Sequence, residues 1–422
     1  MSRDAGSGSG WALGLRGSRS GSMRGRLLRE GVAAVATRGL AELGAPRGKP
    51  PWRVLFFGTD DFAAESLRAL EAARCRGGPR REDHGERGEP REEPLIDRLE
   101  VVTLPSPLPR GLPVKNCSKQ FQLPTHDWPD TGPSGQFDVG VVASFGRLLS
   151  EDLILQFPYG VLNVHPSYLP RWRGPAPIVH AVLHGDTVTG VTIMQIKPKR
   201  FDVGPIIKQE KFAVPSQCTA KELEAILSKL GANMLISVLK NLPESLKNKR
   251  EQPNEGVTFA PKVTVAMSCI KWEEQTPEQI LRLQRAIGTT LPLQTLWMGS
   301  TVKLLDFVEV HNIRSFADQL LNEHGIVPGS VLYHKSSQTL VVRCKEGWVG
   351  VKTVILKKKL TAADFYNGYL HPWFQQNSKT LYRDCRFHTL KLTTAKKTER
   401  KGNGGVQYKT KCMKFVKQDD CK

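Results

Sequence analysis

What the chain lacks narrows its chemistry before any motif is considered. Its eight cysteines, Cys75, Cys117, Cys218, Cys269, Cys344, Cys385, Cys412 and Cys421, show neither CxxC spacing nor pairing with nearby histidines. That argues against a zinc site or a disulfide framework and fits a reducing compartment, so no metal is expected. No run of eighteen or more apolar residues occurs, and no membrane span is expected. The first candidate strand is followed by a lone glycine, far short of GxGxxG, and GxSxG is absent. Acidic residues are in deficit, with 41 Asp and Glu against 61 Lys and Arg, for a formal charge of +20 and a pI near 9.7. Such a balance points to a polyanionic partner, most simply a nucleic acid, although mitochondrial proteins are often basic for other reasons.

What is present is a chain of 422 residues, 39% hydrophobic, long enough for two or three domains. Residues 1–50 carry arginines at 3, 16, 19, 24, 26, 29, 38 and 47, serines between them and few acids, with Leu27, Leu28, Val32, Val35 and Ala36 as a modest apolar face. This is the composition of a mitochondrial transit peptide, a plain basic tail being the alternative.

Residues 51–241 read as an α/β domain. Arg53 to Phe57 is a strand, Gly58 to Phe62 a turn, and Ala63, Leu67, Leu70 and Ala73 mark a helix, the opening of a doubly wound fold. Residues 74–98 form a charged insertion without apolar period, expected to be a disordered loop. Strands are expected at Leu99–Thr103, Phe137–Ala143, Gly160–His165, Gly190–Ile196 and Pro205–Lys211, with helices near Ser150–Phe157 and Pro175–Leu183. Thr219 and Glu222 form a capping box, opening a helix whose Leu223, Ile226, Leu227, Leu230 and Met234 make a core stripe. Residues 242–261 read as an interdomain linker. In 262–378 a helix capped at Thr276 precedes several short strands with glycine turns, which suggests a small β-barrel of the oligonucleotide-binding kind. Residues 379–422 read as a basic tail.

The chemistry centres on Asn163-Val164-His165-Pro166-Ser167-Tyr168-Leu169-Pro170-Arg171-Trp172-Arg173-Gly174. Residues two apart on a strand face the same way, so Asn163 and His165 project together from its carboxyl end, where open α/β sheets bind ligands. An amide and an imidazole there can donate to the oxygen of a carbonyl under attack. Asp202, in the loop Arg200-Phe201-Asp202-Val203-Gly204, is the candidate partner that would hold the imidazole charged and oriented. From pattern alone, Asn163 and His165 read equally well as turn residues satisfied by backbone, and Asp202 as a turn or cap residue. No serine or cysteine stands in an activating context, so the attacking group would belong to a substrate.

The same stretch, followed by Gly190-Val191-Thr192-Ile193-Met194-Gln195 and Asp202-Val203-Gly204, resembles the signature of the formyltetrahydrofolate-dependent formyltransferases, over roughly Arg53 to Phe374. The resemblance implies a Rossmann-like catalytic domain and a C-terminal barrel that helps hold tRNA. It implies Asn163, His165 and Asp202 as the catalytic set, and a folate pocket lined by Ser167, Tyr168, Leu169 and Pro170 and by the loop 144–149 with Phe145 and Gly146. It also implies 10-formyltetrahydrofolate as co-substrate and the acceptor stem of a methionyl-tRNA as partner; a monomer is expected, and the N-terminal composition gives the mitochondrial matrix as the expected location. Three departures stand out. Asp60 replaces a family proline in Gly58-Thr59-Asp60-Asp61-Phe62, and Tyr168 replaces a leucine. Val101-Val102-Thr103 runs almost directly into Pro105-Ser106-Pro107, so a basic loop found in bacterial members is short or absent. Other acceptors, a nucleotide amine or water, and a nucleic-acid-binding protein with a degenerate enzyme domain are the competing readings.

The basic, serine-rich start predicts removal of about the first thirty to fifty residues on import. N-terminal sequencing of the protein from isolated mitochondria checks this, and an intact Met1 would count against it.

Overall fold

A computed structural model describes residues 47–74, 94–107, 111–133, 135–310, 326–377 and 385–392. The expected transit peptide to residue 46, most of the charged insertion (75–93) and the tail from 393 lie outside them.

The catalytic-domain sheet is built from β1 (Trp52–Gly58), β2 (Ile96–Thr103), β3 (Thr125–Asp127), β4 (Val139–Ala143), β5 (Val161–His165), β6 (Val188–Gln195) and β7 (Ile206–Ala213). Their order is β3-β2-β1-β4-β5-β6-β7, parallel from β3 to β5 and antiparallel for β6 and β7. Near-continuous apolar runs such as Val139-Gly140-Val141-Val142-Ala143, buried throughout, are what strands covered on both faces require. Strand order reverses between β1 and β4, which opens a crevice beyond their carboxyl ends, and β5 ends beside it.

Helix α1 (Asp61–Ala72) follows β1, capped by the Asp60 side chain accepting from the Ala63 N–H. The helices α2 (Pro113–Gln120), α3 (Glu151–Leu155) and α4 (Pro177–His184) follow β2, β4 and β5, and α4 ends at Gly185 in the left-handed region. The long α5 (Ala220–Lys240), opened by the Thr219–Glu222 capping box, lays Leu223, Leu227, Met234 and Leu235 into the core. It can approach β5 closely because Gly231 has no side chain: a Cβ there would lie 2.7 Å from Val164 Cγ1. Trp52 is fully buried and donates its indole N–H to the Leu239 carbonyl, tying β1 to the end of α5.

After α6 (Leu242–Lys247), the second domain begins with Trp272, fully buried against Phe387, and α7 (Pro277–Ile287). Antiparallel strands β8 (Leu293–Trp297), β9 (Ser300–Glu309), β10 (Val331–His334), β11 (Thr339–Cys344), β12 (Gly347–Ile355) and β13 (Lys359–Thr361) follow, with the path β10-β11-β12-β9-β8. Bridges from His388 to Leu296 and from Arg386 to Ser330 close this path into a barrel. Helices α8 (Ala362–Phe365) and α9 (His371–Gln376) follow the last strand.

Four boundaries differ from the sequence reading. Strand β2 begins at Ile96, inside the stretch 74–98, because Ile96 and Leu99 are buried while the intervening Asp97 and Arg98 obscure the pattern. Helix α2 and strand β3 fall between the strands expected at Leu99–Thr103 and Phe137–Ala143, where the sequence reading named no element. Cys385, Phe387 and Leu390 are buried in the barrel, so the tail does not begin at 379. The stretch 242–261 holds α6 and then pairs with the catalytic domain through the bridges Arg250–Ile206 and Phe259–Arg173.

The close approach of α5 to β5 predicts that Gly231→Ala destabilises the protein by about 1–3 kcal/mol, as overpacking does. Denaturant unfolding measures this, and an unchanged midpoint would contradict the packing.

Candidate active site

Strand β5 delivers the pair that the sequence singled out. Val164 is 1% exposed and points into the core under α5, so its neighbours Asn163 and His165 face the other layer. Register fixes them: Asn163 lies opposite Val142 of β4, and His165 opposite Thr192 of β6. Beyond His165 the chain turns back on itself, and Trp172 adopts a φ of 63°. That conformation is costly for a bulky residue and must be held from outside. Asp186 does so. Its carboxylate takes a bidentate pair from Arg171 at 2.7 and 2.6 Å and the Trp172 indole N–H at 2.7 Å. The Arg171 guanidinium also sits 4.3 Å over the Trp172 ring.

The consequence falls on His165, whose Nε2 lies 3.0 Å from the Trp172 carbonyl oxygen. A carbonyl only accepts, so Nε2 carries a proton and Nδ1 is the nitrogen left to face the carboxylate. Asp202 meets it from the loop between β6 and β7, itself at a φ of 53°. Its Oδ1 is 3.2 Å from Asn163 Nδ2 and 3.6 Å from His165 Nδ1, and its Oδ2 accepts from the Gly174 backbone N–H at 2.8 Å. The His165 contact is longer than a formed hydrogen bond, a common state of catalytic contacts before substrate tightens them. Asn163 spends one N–H on Asp202, and its amide has a second to offer.

The structure therefore brings Asn163, His165 and Asp202 together around one carboxylate. All three border a cleft of about 890 Å³ at the crevice beyond β1, β4 and β5. Phe145 and Gly146 line it too, together with Leu149, Met194 and Ile196. Ser167, Tyr168, Leu169 and Pro170 do not. Ser167 is fully buried and donates to the Arg171 carbonyl, while the Leu169 N–H donates to Thr192 Oγ1. The Tyr168 ring lies under Lys211 of β7, away from the cleft, and the Pro170 carbonyl is met by the Thr258 N–H. The Ser167 hydroxyl and the backbone groups of Tyr168, Leu169 and Pro170 build the turn that aims Trp172.

Other cleft residues escaped the sequence reading. Lys262, Ala286, Thr289 and Thr290 bring the second domain to the same cavity, and Asp60 and Glu224 form an acidic side. Burial, with Glu224 adding to it, pushes the Asp60 carboxyl up to about 6. The only visible signal for Asp60 was its replacement of a proline, and for Asp186 its place after the helix-ending Gly185.

A Rossmann-like sheet with an amide, an imidazole and a carboxylate converging at the crevice beyond its strands fits an enzyme. The chain belongs to the formyl transferase family: the profile described as Formyl transferase matches residues 123–239, and that described as Formyl transferase, C-terminal domain, matches 262–370. It is 64% identical over 379 residues to the mitochondrial methionyl-tRNA formyltransferase of Homo sapiens, covering 88% of this chain and 93% of that one. It is 65% identical over 355 residues to the Bos taurus protein of the same name, covering 84% and 87%. To the methionyl-tRNA formyltransferase of Magnetococcus marinus it is 30% identical over 339 residues, covering 75% and 96%.

A carboxyl with a raised pKa in the folded state holds its proton to higher pH than in the unfolded chain. Between the ordinary carboxylate value of 3.8 and about 6 the folded state binds more protons at Asp60, so this group's contribution to stability falls as pH rises through that window. Asp60→Asn keeps an oxygen for the Ala63 N–H but cannot ionise. It is expected to flatten that part of the stability profile and to raise stability at pH 7, as read by denaturant unfolding from pH 4 to 7.

Proposed function

We propose that this protein transfers the formyl group of 10-formyltetrahydrofolate to the α-amine of methionyl-tRNA, in the mitochondrial matrix, for translation initiation. The observation that carries the reading is the shared carboxylate: Asp202 orients Asn163 and His165 at the cleft, and among the described residues no serine, threonine or cysteine side chain is hydrogen-bonded to His165. High identity to proteins named for this reaction, two of them mitochondrial, supports the same substrates.

The cleft fits such a pair of ligands. Its volume is that of a small-molecule site, and Phe145, Leu149, Val142, Met194 and Ile196 give it apolar walls for a flat heterocycle. On its other side the second domain contributes Lys262, Thr289 and Thr290, where an aminoacyl end would enter between the domains. Arg147, Arg200 and Lys262 give part of the cavity rim positive charge suited to a tRNA backbone and its acceptor stem, while Lys197 and Lys221 are ion-paired to Glu251 and to Asp61 and Glu224.

Residues of the trio act on charge that develops during transfer. The neutral amine attacks the formyl carbon, a carbon–nitrogen bond forms, and the carbonyl oxygen becomes an oxyanion. The second N–H of Asn163 donates to it, and protonated His165 adds positive charge beside it. Asp202 holds the Asn163 amide and the His165 ring in place. Collapse restores the carbonyl and breaks the bond to N10, which leaves with a proton as tetrahydrofolate while the acceptor nitrogen loses one. The enzyme forms no covalent bond to the formyl group.

The reading predicts formyl transfer from 10-formyltetrahydrofolate to charged initiator tRNA, and none to free methionine or glycinamide ribonucleotide in parallel. Transfer to a small amine alone would sink it. Asn163→Ala, His165→Ala and Asp202→Asn should each lower kcat by about 10²–10³-fold with tRNA affinity nearly kept. Kinetics together with tRNA binding by filter retention or anisotropy measure both.

A further inference from the structure

Asp202 is useful only if its loop holds still, and the loop has no regular structure of its own. Its φ of 53° puts a residue with a side chain in the left-handed region, and the following Gly204 packs so tightly that a Cβ would lie 1.7 Å from the Gln195 carbonyl oxygen. Something outside the loop must satisfy its carbonyls. That role falls to Gln252, a residue of the stretch between the two domains.

One amide saturates the site. Gln252 Nε2 donates to the Asp202 carbonyl at 2.9 Å and to the Gly204 carbonyl at 2.8 Å. Gln252 Oε1 accepts from Arg173 Nε at 3.0 Å and from Arg173 Nη2 at 2.6 Å. Backbone carbonyls only accept and a guanidinium only donates, so the orientation of the amide is fixed by chemistry. The two partners are the two loops that meet at the catalytic carboxylate, since Arg173 immediately precedes Gly174, whose N–H binds Asp202 Oδ2.

Gln252 is itself anchored. Two residues earlier, Arg250 exchanges both backbone hydrogen bonds with Ile206 at the start of β7. Further on, Thr258 and Ala260 bracket Arg173: its N–H donates to the Thr258 carbonyl, and its carbonyl accepts from the Ala260 N–H. The interdomain stretch is therefore paired to the catalytic domain on both sides of Gln252.

We propose that Gln252 is a positioning residue for Asp202, and that through it the catalytic carboxylate is set by the segment joining the two domains. This rests on the function proposed above for the same site. Gln252 touches no reacting atom, so it acts on the orientation of Asp202 and, beyond it, on Asn163 and the Nδ1 side of His165. Small displacements of such groups have large kinetic effects.

The test uses the full chain. Gln252→Glu keeps the acceptor for Arg173 and loses both donors to the loop, whereas Gln252→Met keeps the volume and loses every polar contact. Each should lower kcat by about 10–100-fold while the KM values for the folate and the tRNA change less than about threefold. Combined with Asp202→Asn, either substitution should add little further loss, because both act on one group. A readout independent of the reaction is the ring ¹⁵N spectrum of His165, identified by its absence in His165→Gln. Gln252→Glu should shift the Nδ1 signal, which faces Asp202, and leave Nε2, which answers to Trp172. Turnover within threefold of the parent chain, full additivity with Asp202→Asn, or an unchanged Nδ1 signal would overturn the proposal. So would failure of both variants to fold, which would assign Gln252 to folding. If the parent chain itself transferred no formyl group, the functional reading would fail while the His165 spectrum still decided the role of Gln252.

Discussion

A carboxylate that is 9% exposed needs most of its lone pairs occupied, and the occupants of Asp202 are the groups whose placement matters for chemistry. Oδ1 gathers Asn163 and His165, and Oδ2 takes the Gly174 N–H. Gly174 belongs to the same tripeptide whose first residue, Trp172, fixes the far nitrogen of His165. A single turn thus holds both the imidazole and the carboxylate that faces it. This explains why two residues with side chains, Trp172 and Asp202, persist in left-handed conformations on facing loops. The surrounding ion pair, indole bond and interdomain backbone pairing offset their cost.

The same constraint engages most of the motif. In the stretch from Asn163 to Gly174, residues 163–166 and Gly174 border the cleft, and most of the rest build the turn. Arg171 and Trp172 are satisfied by Asp186, and Arg173 by Gln252. Gly174 stands at a φ of 123°, where a Cβ would meet the Ala260 carbonyl oxygen at 2.7 Å, so the glycine permits the contact between that turn and the interdomain stretch.

Much of this was legible in the sequence because it rests on local periodicity. The alternation that turns Asn163 and His165 away from Val164, the capping box at Thr219 and the left-handed glycine after α4 are local rules, and each holds in the structure. Asp202 could be nominated as the only acid of a short loop between two strands. What stayed hidden is non-local. Asp186 lies only 14 residues from Trp172, yet nothing in a run ending His-Gly-Asp shows that its carboxylate is an anchor. Gln252 is 50 residues from Asp202 in a stretch whose Asn, Lys, Glu and Pro content reads as a linker. Polar residues without apolar period carry no signal of burial, so a segment whose work is to satisfy other segments' backbones looks like a loop. Motif membership likewise says that residues act together without saying which of them border the cleft: Phe145 and Gly146 line it, and Ser167–Pro170 build the neighbouring turn.

The position of the cleft follows from topology and then acquires a second wall. The order β3-β2-β1-β4-β5 alone would place a ligand beyond β1 and β4, with Phe145, Gly146 and Leu149 of the loop after β4 beneath it. The second domain docks α7 near α4, and Gln217 beside α5 bonds both Arg285 of α7 and Glu309 of β9. That docking turns an open crevice into a cavity shared by Asn163 on one side and Thr289 and Thr290 on the other. A reaction whose nucleophile arrives on a large substrate needs such a division. The interdomain stretch, paired with Ile206 at one end and with Arg173 at the other, keeps the two walls in register with the carboxylate between them.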